Sequence, residues 1–305
     1  MPNVSSLAEA AGLLAAATAE GRTVRIGEDV TTDGFARILE HEAGDLTCTV
    51  ESGLRLSALQ AALARHGQRL SLDPPGDPTV GAVLARNVSG PLRHRFGAPR
   101  DLVLGVTLVL ADGTIASAGG KVVKNVAGYD LARLACGSKG RLGLIARVSL
   151  RLHPLPKSAG TLVVEVDDTA SVAATLLRSQ LEPSALDILH PGRVVVLFEG
   201  SPRAVEAQLA AAHALVGGEA GDAAVWAESR RLQGEARGRI RFAPRDLRAT
   251  LADLSGAVVR PAAGTAHTRH EQPRGSEPQG SGATALVGLQ ERILRAFDPT
   301  GTLAG

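Results

Sequence analysis

Aromatic side chains are scarce in this chain of 305 residues: they amount to 2%, and Tyr129 and Trp226 are its single tyrosine and tryptophan. That is too little to build a surface on which nucleic-acid bases stack. Charge of one sign is lacking too. Lys plus Arg at 33 against Asp plus Glu at 31 leave a net charge of +2, so nothing demands a nucleic-acid partner. There are two cysteines, Cys48 and Cys136, far apart in apolar segments. They read as buried free thiols of a reducing compartment, and they are too few for an iron-sulfur cluster held by this chain alone, which needs four thiolates. If the protein moves electrons, another subunit or a soluble acceptor must take them.

The first 21 residues have no basic start, and Glu9 and Glu20 interrupt their apolar run. Neither a signal peptide nor a membrane span is expected, which implies a cytoplasmic protein, or one held peripherally at a membrane through a partner. Hydrophobic residues at 44% and charged residues at 21% describe a globular chain long enough for two domains.

Lysine is rare as well, and that makes its placement informative. Lys121, Lys124 and Lys139 fall within Gly119 to Ile145, among Gly119, Gly120, Gly128, Gly137, Gly140 and Gly143; Lys157 is the only other lysine. Compact ammonium charges set among residues that take positive φ and bring backbone N–H groups close to a ligand suggest an anion such as phosphate. Tight turns between strands are the plainer reading of the same glycines. The stretch is neither a Walker A loop nor a dinucleotide fingerprint, because both spacings are missing.

Elsewhere the pattern alternates between helix and strand. Ser5 and Ser6 offer N-caps to an Ala/Leu-rich helix ending before Gly21, and Thr23 to Ile26 reads as a strand. Asp45 to Glu51 reads as another strand. Ser57 to His66 reads as a helix with Ser57 and Gln60 at capping-box spacing, and strand, helix, strand suggests a parallel crossover. Pro74 to Gly81 is a stiff turn before the small-residue run Ala82 to Gly90. A strand from Arg100 to Leu110 turns at Ala111-Asp112-Gly113 into Thr114 to Ala118. Beyond Pro154 and Pro156, the strand Thr161 to Val166, helix Ala170 to Gln180, strands Ala185 to Leu189 and Arg193 to Glu199, and helix Pro202 to Val216 give a ferredoxin-like order. Further elements are expected at Arg239 to Ala243, Arg245 to Leu254 and Ala257 to Arg260. Gly264 to Thr284, rich in Gly, Ser and Pro, reads as a mobile loop; a metal site at His267, His270 and Glu271 would lack the second shell such sites need.

The run Lys124-Asn125-Val126-Ala127-Gly128-Tyr129-Asp130-Leu131, followed by Gly137-Ser138-Lys139-Gly140-Arg141-Leu142-Gly143-Leu144-Ile145, resembles the second half of the FAD-binding domain in flavoenzymes of the vanillyl-alcohol oxidase type. Within that superfamily it is most similar to the FAD-binding E subunits of bacterial glycolate oxidases (glycolate dehydrogenases), departing at Arg141, where the family tends to have Thr. The resemblance runs from Ser5 to Pro156 and returns at Phe297 to Leu303. It implies an α+β protein: a two-part FAD-binding domain over 1–156, a ferredoxin-like α+β cap over 157–263, a loop over 264–284, and a C-terminal helix over 285–305 that returns to the FAD domain.

The resemblance further implies that FAD is held by Pro75, Thr79, Val80, Gly81, Asn87, Ser89, Gly90, Lys124, Gly128, Tyr129, Asp130, Gly137, Ser138, Gly140, Gly143 and Ile145. Asn87 and Ser89 could equally be satisfied turn residues. Arg93 or Arg95 could bind a substrate carboxylate or a phosphate, or be charges of a solvated loop, and His94 is a candidate base or flavin attachment point by position alone. The first phosphate loop departs from the family: Arg25-Ile26-Gly27-Glu28-Asp29 is shorter, and Glu28 and Asp29 would repel a pyrophosphate if they faced it. The activity implied is oxidation of a small 2-hydroxy acid, with electrons passed to a related catalytic flavoprotein subunit and an iron-sulfur subunit. A noncatalytic assembly or electron-relay subunit and a stand-alone alcohol oxidase are the alternatives. No residue is assigned as catalytic.

Overall fold

The computed structural model describes residues 2–120, 130–270 and 282–305. Lys121 to Tyr129, which carry three of the expected FAD residues (Lys124, Gly128 and Tyr129), lie outside the described residues.

Ser6 accepts the Glu9 N–H at 3.2 Å and starts the helix Leu7–Ala19. Its buried side chains Ala10, Leu14 and Ala17 pack with Val24, Val30, Phe35 and Leu144 in a small core of their own. The strand that follows, Val24–Arg25, pairs in parallel with Leu303–Ala304, so the C-terminal end of the chain lies beside the first loop.

Five strands form one antiparallel sheet in the order Ile38–Glu42, Thr47–Glu51, Leu144–Arg151, Val103–Val109, Ile115–Gly119. The helices Leu56–Ala64 and Val80–Arg86 cover one face through Leu59, Leu63, Val83 and Leu84, which pack with Val50, Val106, Val148 and Leu150. The expected parallel crossover is corrected here. After Leu56–Ala64 the chain pairs for only two residues, Gln68–Arg69, antiparallel to His153–Pro154 and not beside Thr47–Glu51. The expected capping box is corrected as well: Asp77 accepts from both the N–H and the Oγ of Ser57, at 2.9 and 2.8 Å, so a carboxylate from a distant turn caps that helix.

The second sheet has seven antiparallel strands in the order Glu219–Gly221, Ser158–Glu165, Arg193–Gly200, Ala185–His190, Ala257–Arg260, Thr265–Thr268, Gly238–Arg241. With the helices Thr169–Arg178 and Pro202–Val216 its first four strands have the ferredoxin-like arrangement, extended by three more strands on one edge. The reading of 264–284 as a loop is corrected at both ends. Thr265–Thr268 is a strand paired on both sides, with Thr265, Ala266 and Thr268 buried, and a helix runs over Gly282–Phe297. The helix Ala224–Gly234, between Glu219–Gly221 and Gly238–Arg241 in the chain, packs through Trp226 on the face of the sheet opposite the helices Thr169–Arg178 and Pro202–Val216.

Candidate functional site

The short helix Val80–Arg86 is the wall on which the site is built. Its first N–H groups are satisfied within the protein: Val80 donates to Leu54 O at 2.9 Å, Gly81 to Ser52 O at 2.7 Å and Ala82 to Thr79 Oγ1 at 3.2 Å. The amide of Gly81 is therefore engaged, and Gly81 contributes close approach rather than a donor. Its missing Cβ is required for that approach, since one would stand 2.8 Å from the Ser52 side chain. At the other end Asn87 takes a left-handed C-cap with φ 49°, and the glycine-rich turn caps the helix further: Gly137 N–H donates to Leu84 O at 2.9 Å and Lys139 N–H to Ala85 O at 2.8 Å.

A cavity of about 690 Å³ opens on one side of this helix. It runs from the turn Arg25 to Asp33, past Thr79, Gly81, Ala82 and Ala85, to Gly140, Gly143, Ile145 and the terminal Ala304 and Gly305. That volume is in the range of sites that enclose a cofactor. Arg25, Arg55, Arg86 and Lys139 line it against the acidic Glu28 and Asp33. Glu28 is ion-paired with Arg25 at 3.1 Å. Asp29 does not line the cavity; its Oδ2 accepts the Arg25 N–H at 2.8 Å, and that bond holds its carboxyl below the usual range. The two acids are thus tied to Arg25 rather than both set against a ligand. Gly27, with φ 93°, lines the cavity with no atom within 4 Å of where its Cβ would be, so bare backbone faces the space. A cationic, glycine-edged, elongated cleft with an apolar floor of Ile26, Pro78, Ala82 and Ile145 fits a cofactor with both a pyrophosphate and a flat ring, as FAD has.

On the other side of the helix lies a cavity of about 310 Å³, which shares Pro78, Ala82 and Arg86 with the first. Pro75, Asn87, Ser89 and Arg93 line it from the first domain; Gln233, Gly234, Arg239, Arg260, Thr265 and His267 line it from the cap. Its polar side is a connected network. Arg260, 4% exposed, donates through Nε to the fully buried Asp187 at 3.3 Å and through Nη2 to Gln233 Oε1 at 2.8 Å. Asp187 also accepts from Ser229 Oγ, and Gln233 Nε2 donates to Ser89 O at 2.9 Å across the domain boundary. Arg260 Nη1 approaches His267 Nε2 at 3.4 Å. A guanidinium only donates, so Nε2 is the acceptor and the ring proton sits on Nδ1. Burial first, then Arg260, Arg239 and Arg93, pushes the His267 imidazole down to about 3, so the ring is neutral.

Of the residues expected to hold FAD, Thr79, Gly81, Gly140, Gly143 and Ile145 line the larger cavity, and Pro75, Asn87 and Ser89 line the smaller one with Arg93. Val80 is buried beneath the helix, and Gly90 is pressed onto Asp73, where a side chain would run into the Asp73 carbonyl. Gly137 and Ser138 shape the turn, the Ser138 Oγ being buried without a partner among the described residues. Asp130 caps the helix Leu131–Ala135, accepting the Arg133 N–H at 3.0 Å. Arg95 reaches the Glu182 carbonyl and carboxylate at 3.3 and 3.5 Å and lines neither cavity; His94 lines neither. Glu271 lies outside the described residues. Sequence reasoning missed Arg239, Arg260, Gln233 and His267, which come from four separate places in the cap and meet only through the sheet register. Arg260 and Thr265 are register partners, which sets the guanidinium beside His267.

Comparison with known proteins agrees with this geometry. A family model described as an FAD binding domain matches residues 6–119. Glycolate oxidase subunit GlcE of Escherichia coli is 32% identical over 201 residues, covering 64% of this chain and 56% of that protein. Mitochondrial D-lactate dehydrogenase [cytochrome] 1 of Saccharomyces cerevisiae is 32% identical over 171 residues, covering 54% of this chain and 29% of that protein. Glycolate oxidase subunit GlcD of Bacillus subtilis is 32% identical over 182 residues, with 57% and 39% covered. The chain thus spans between 29% and 56% of the length of these curated relatives. Among solved structures, an alkyldihydroxyacetonephosphate synthase superposes with a TM-score of 0.72 at 14% identity, over 98% of this chain and 75% of that one, which is a likeness of fold.

Proposed function

We propose that the chain is an FAD-binding subunit of a 2-hydroxyacid dehydrogenase of the glycolate or D-lactate type, because residues 6–119 match a family model described as an FAD binding domain and its relatives include a glycolate oxidase subunit and a D-lactate dehydrogenase. The observation that carries this reading is the shared wall. A cofactor-sized cationic cleft and a small arginine-lined cavity meet at Pro78, Ala82 and Arg86, so a bound ring and a small anion would be neighbours. FAD, when bound, supplies the acceptor for the hydride that leaves the α-carbon.

The chain's own residues do the rest. Arg25, Arg55, Arg86 and Lys139 would hold phosphates, and Gly27, Gly140 and Gly143 would let backbone approach them. Arg93 and Arg239 would bind the negative charge of the substrate, which limits the poses of the α-carbon. His267, held by Arg260 with its proton on Nδ1, is a neutral lining residue that would orient a substrate oxygen. With two cysteines the chain needs a partner or soluble acceptor to take the electrons; the likeness to glycolate oxidase subunits supports assembly with other subunits, for which a related flavoprotein and an iron-sulfur protein are the proposed candidates.

The test is the absorption spectrum of the purified chain. Bound FAD, released by acid and identified, is expected, with bleaching when glycolate or D-lactate is added without oxygen. A chain that takes up no FAD, alone or with its partner subunits, would overturn the reading. FAD uptake with no bleaching by any 2-hydroxy acid would leave an electron-relay or assembly role.

A further inference from the structure

The charges around the smaller cavity do not balance for a substrate with a single carboxylate. Arg260 is satisfied within the protein, by Asp187, Gln233 and His267. Arg93 has only a long contact to Ser89 Oγ at 3.5 Å, and no ion pair joins Arg93 or Arg239 to a carboxylate among the described residues. Both line the cavity, one from each domain. Both are held below the usual arginine range, in each case by burial first; for Arg93 the charge of Asp101 acts against this and Arg260 and Arg241 with it, and for Arg239 Arg241, Arg93 and Arg260 add to it. Two guanidinium groups lining one cavity of about 310 Å³ without a carboxylate partner are favoured together by a ligand that brings more than one negative charge between them.

We infer that the substrate is a dianion, a 2-hydroxy acid with a second anionic group, one group being taken by Arg93 of the first domain and the other by Arg239 of the cap. This rests on the 2-hydroxyacid reading above and narrows it. A cavity of this volume admits a chain of a few carbons between the two charges, and a forked guanidinium recognises either carboxylate or phosphate. The second group is therefore defined by its charge, and its chemistry by experiment. The Arg239 side chain makes no hydrogen bond or ion pair among the described residues, so its substitution breaks no such contact, whereas substituting Arg260 would leave Asp187 buried without a counter-charge.

The experiment is a calorimetric titration of the FAD-loaded chain with unreactive acids matched in length: succinate against butyrate, glutarate against valerate, and 3-phosphopropionate as the phosphate arm. Dicarboxylates are expected to bind at least about tenfold more tightly than their monocarboxylate partners, the worth of one charge-assisted contact. Arg239→Gln should abolish that preference, and weaken the monocarboxylates far less. A stronger preference for 3-phosphopropionate would assign the second group as phosphate. Equal affinity for mono- and dicarboxylates, or a preference that survives both Arg239→Gln and Arg93→Gln, would overturn the inference. Anaerobic flavin bleaching by malate, lactate and glycolate separates the two levels. Bleaching by glycolate or lactate without a dianion preference sinks the dianion inference and leaves the oxidoreductase reading. Tight dicarboxylate binding without any bleaching sinks the oxidoreductase reading and leaves an anion site.

Discussion

Asp73 and His267 border the same interface and titrate in opposite senses. Burial pushes the Asp73 carboxyl up from 3.8 to about 7, against Arg260, the Leu92 N–H and Arg230, all of which favour its charged form. The folded state therefore binds a proton there that the unfolded chain has lost, and stability falls as pH rises from about 4 to 7. His267, lowered from 6.5 to about 3, does the reverse: the unfolded chain binds the proton, and stability is lost as pH falls from 6.5 toward 3. Between pH 4 and 6.5 the two slopes oppose each other, so the native protein should show a shallow dependence there. Asp73→Asn should uncover the histidine slope and make denaturant stability drop more steeply on acidification. His267→Gln should uncover the aspartate slope, by at most about 4 kcal/mol over its range. Parallel pH curves for the wild type and both variants would contradict this. Neither role was legible in the sequence. Asp73 precedes two prolines in a segment that reads as a turn, and His267 belongs to a polar stretch whose burial follows from sheet pairing alone.

At the scale of elements, the helix Val80–Arg86 separates the two cavities, yet its sequence VGAVLAR reads as a run of small residues. Seven residues with a glycine and two valines have little helix preference of their own. What makes it a helix is its surroundings: Ser52, Leu54 and Thr79 accept its first donors, and Gly137 and Lys139 cap its last carbonyls. The glycine-rich turn reads in the sequence as a phosphate-type segment or a tight turn, and its task of capping this helix was not legible there. Two substitutions test the assignment. Thr79→Ala removes the side-chain cap and should cost about 1 kcal/mol of stability. Gly81→Ala forces a Cβ to 3.0 Å from the Ser52 carbonyl oxygen and should cost about 1–3 kcal/mol while weakening FAD uptake, because the wall must move into the cleft. An unchanged flavin affinity in a stably folded Gly81→Ala protein would remove this helix from the cofactor site. Similar reasoning explains the strand Thr265–Thr268. Thr-Ala-His-Thr is a fair strand sequence, but the Gly, Ser and Pro of the residues after it set the character of the whole window.

For the molecule as a whole, the order of elements was readable because helix and strand periods alternate cleanly, while the way the domains meet was not, because it depends on single side chains far apart in sequence. Among the described residues four polar contacts join them: Arg69 to Glu199, Gln233 to the Ser89 carbonyl, Arg230 to Asp73 and Arg95 to Glu182. They should differ widely in worth. The Arg95 pair is 3.5 Å long and 41% and 73% exposed, so solvent screens it and Arg95→Ala should change stability by less than about 0.5 kcal/mol. Arg69 and Glu199 instead form a two-pronged pair at 2.7 and 2.6 Å, 14% and 9% exposed, with the guanidinium 5.1 Å above the centre of the Phe96 ring. Glu199→Gln would leave that guanidinium buried without its counter-charge and should cost about 3 kcal/mol, whereas Arg69→Met with Glu199→Leu should recover most of the loss by replacing both charges with apolar groups. Since the smaller cavity takes one wall from each domain, loosening this pair should also weaken anion binding more than FAD binding, whose cleft lies within the first domain. Titrating FAD and succinate into Glu199→Gln separates the two, and an equal loss of both would show that the domains do not hold the anion site between them.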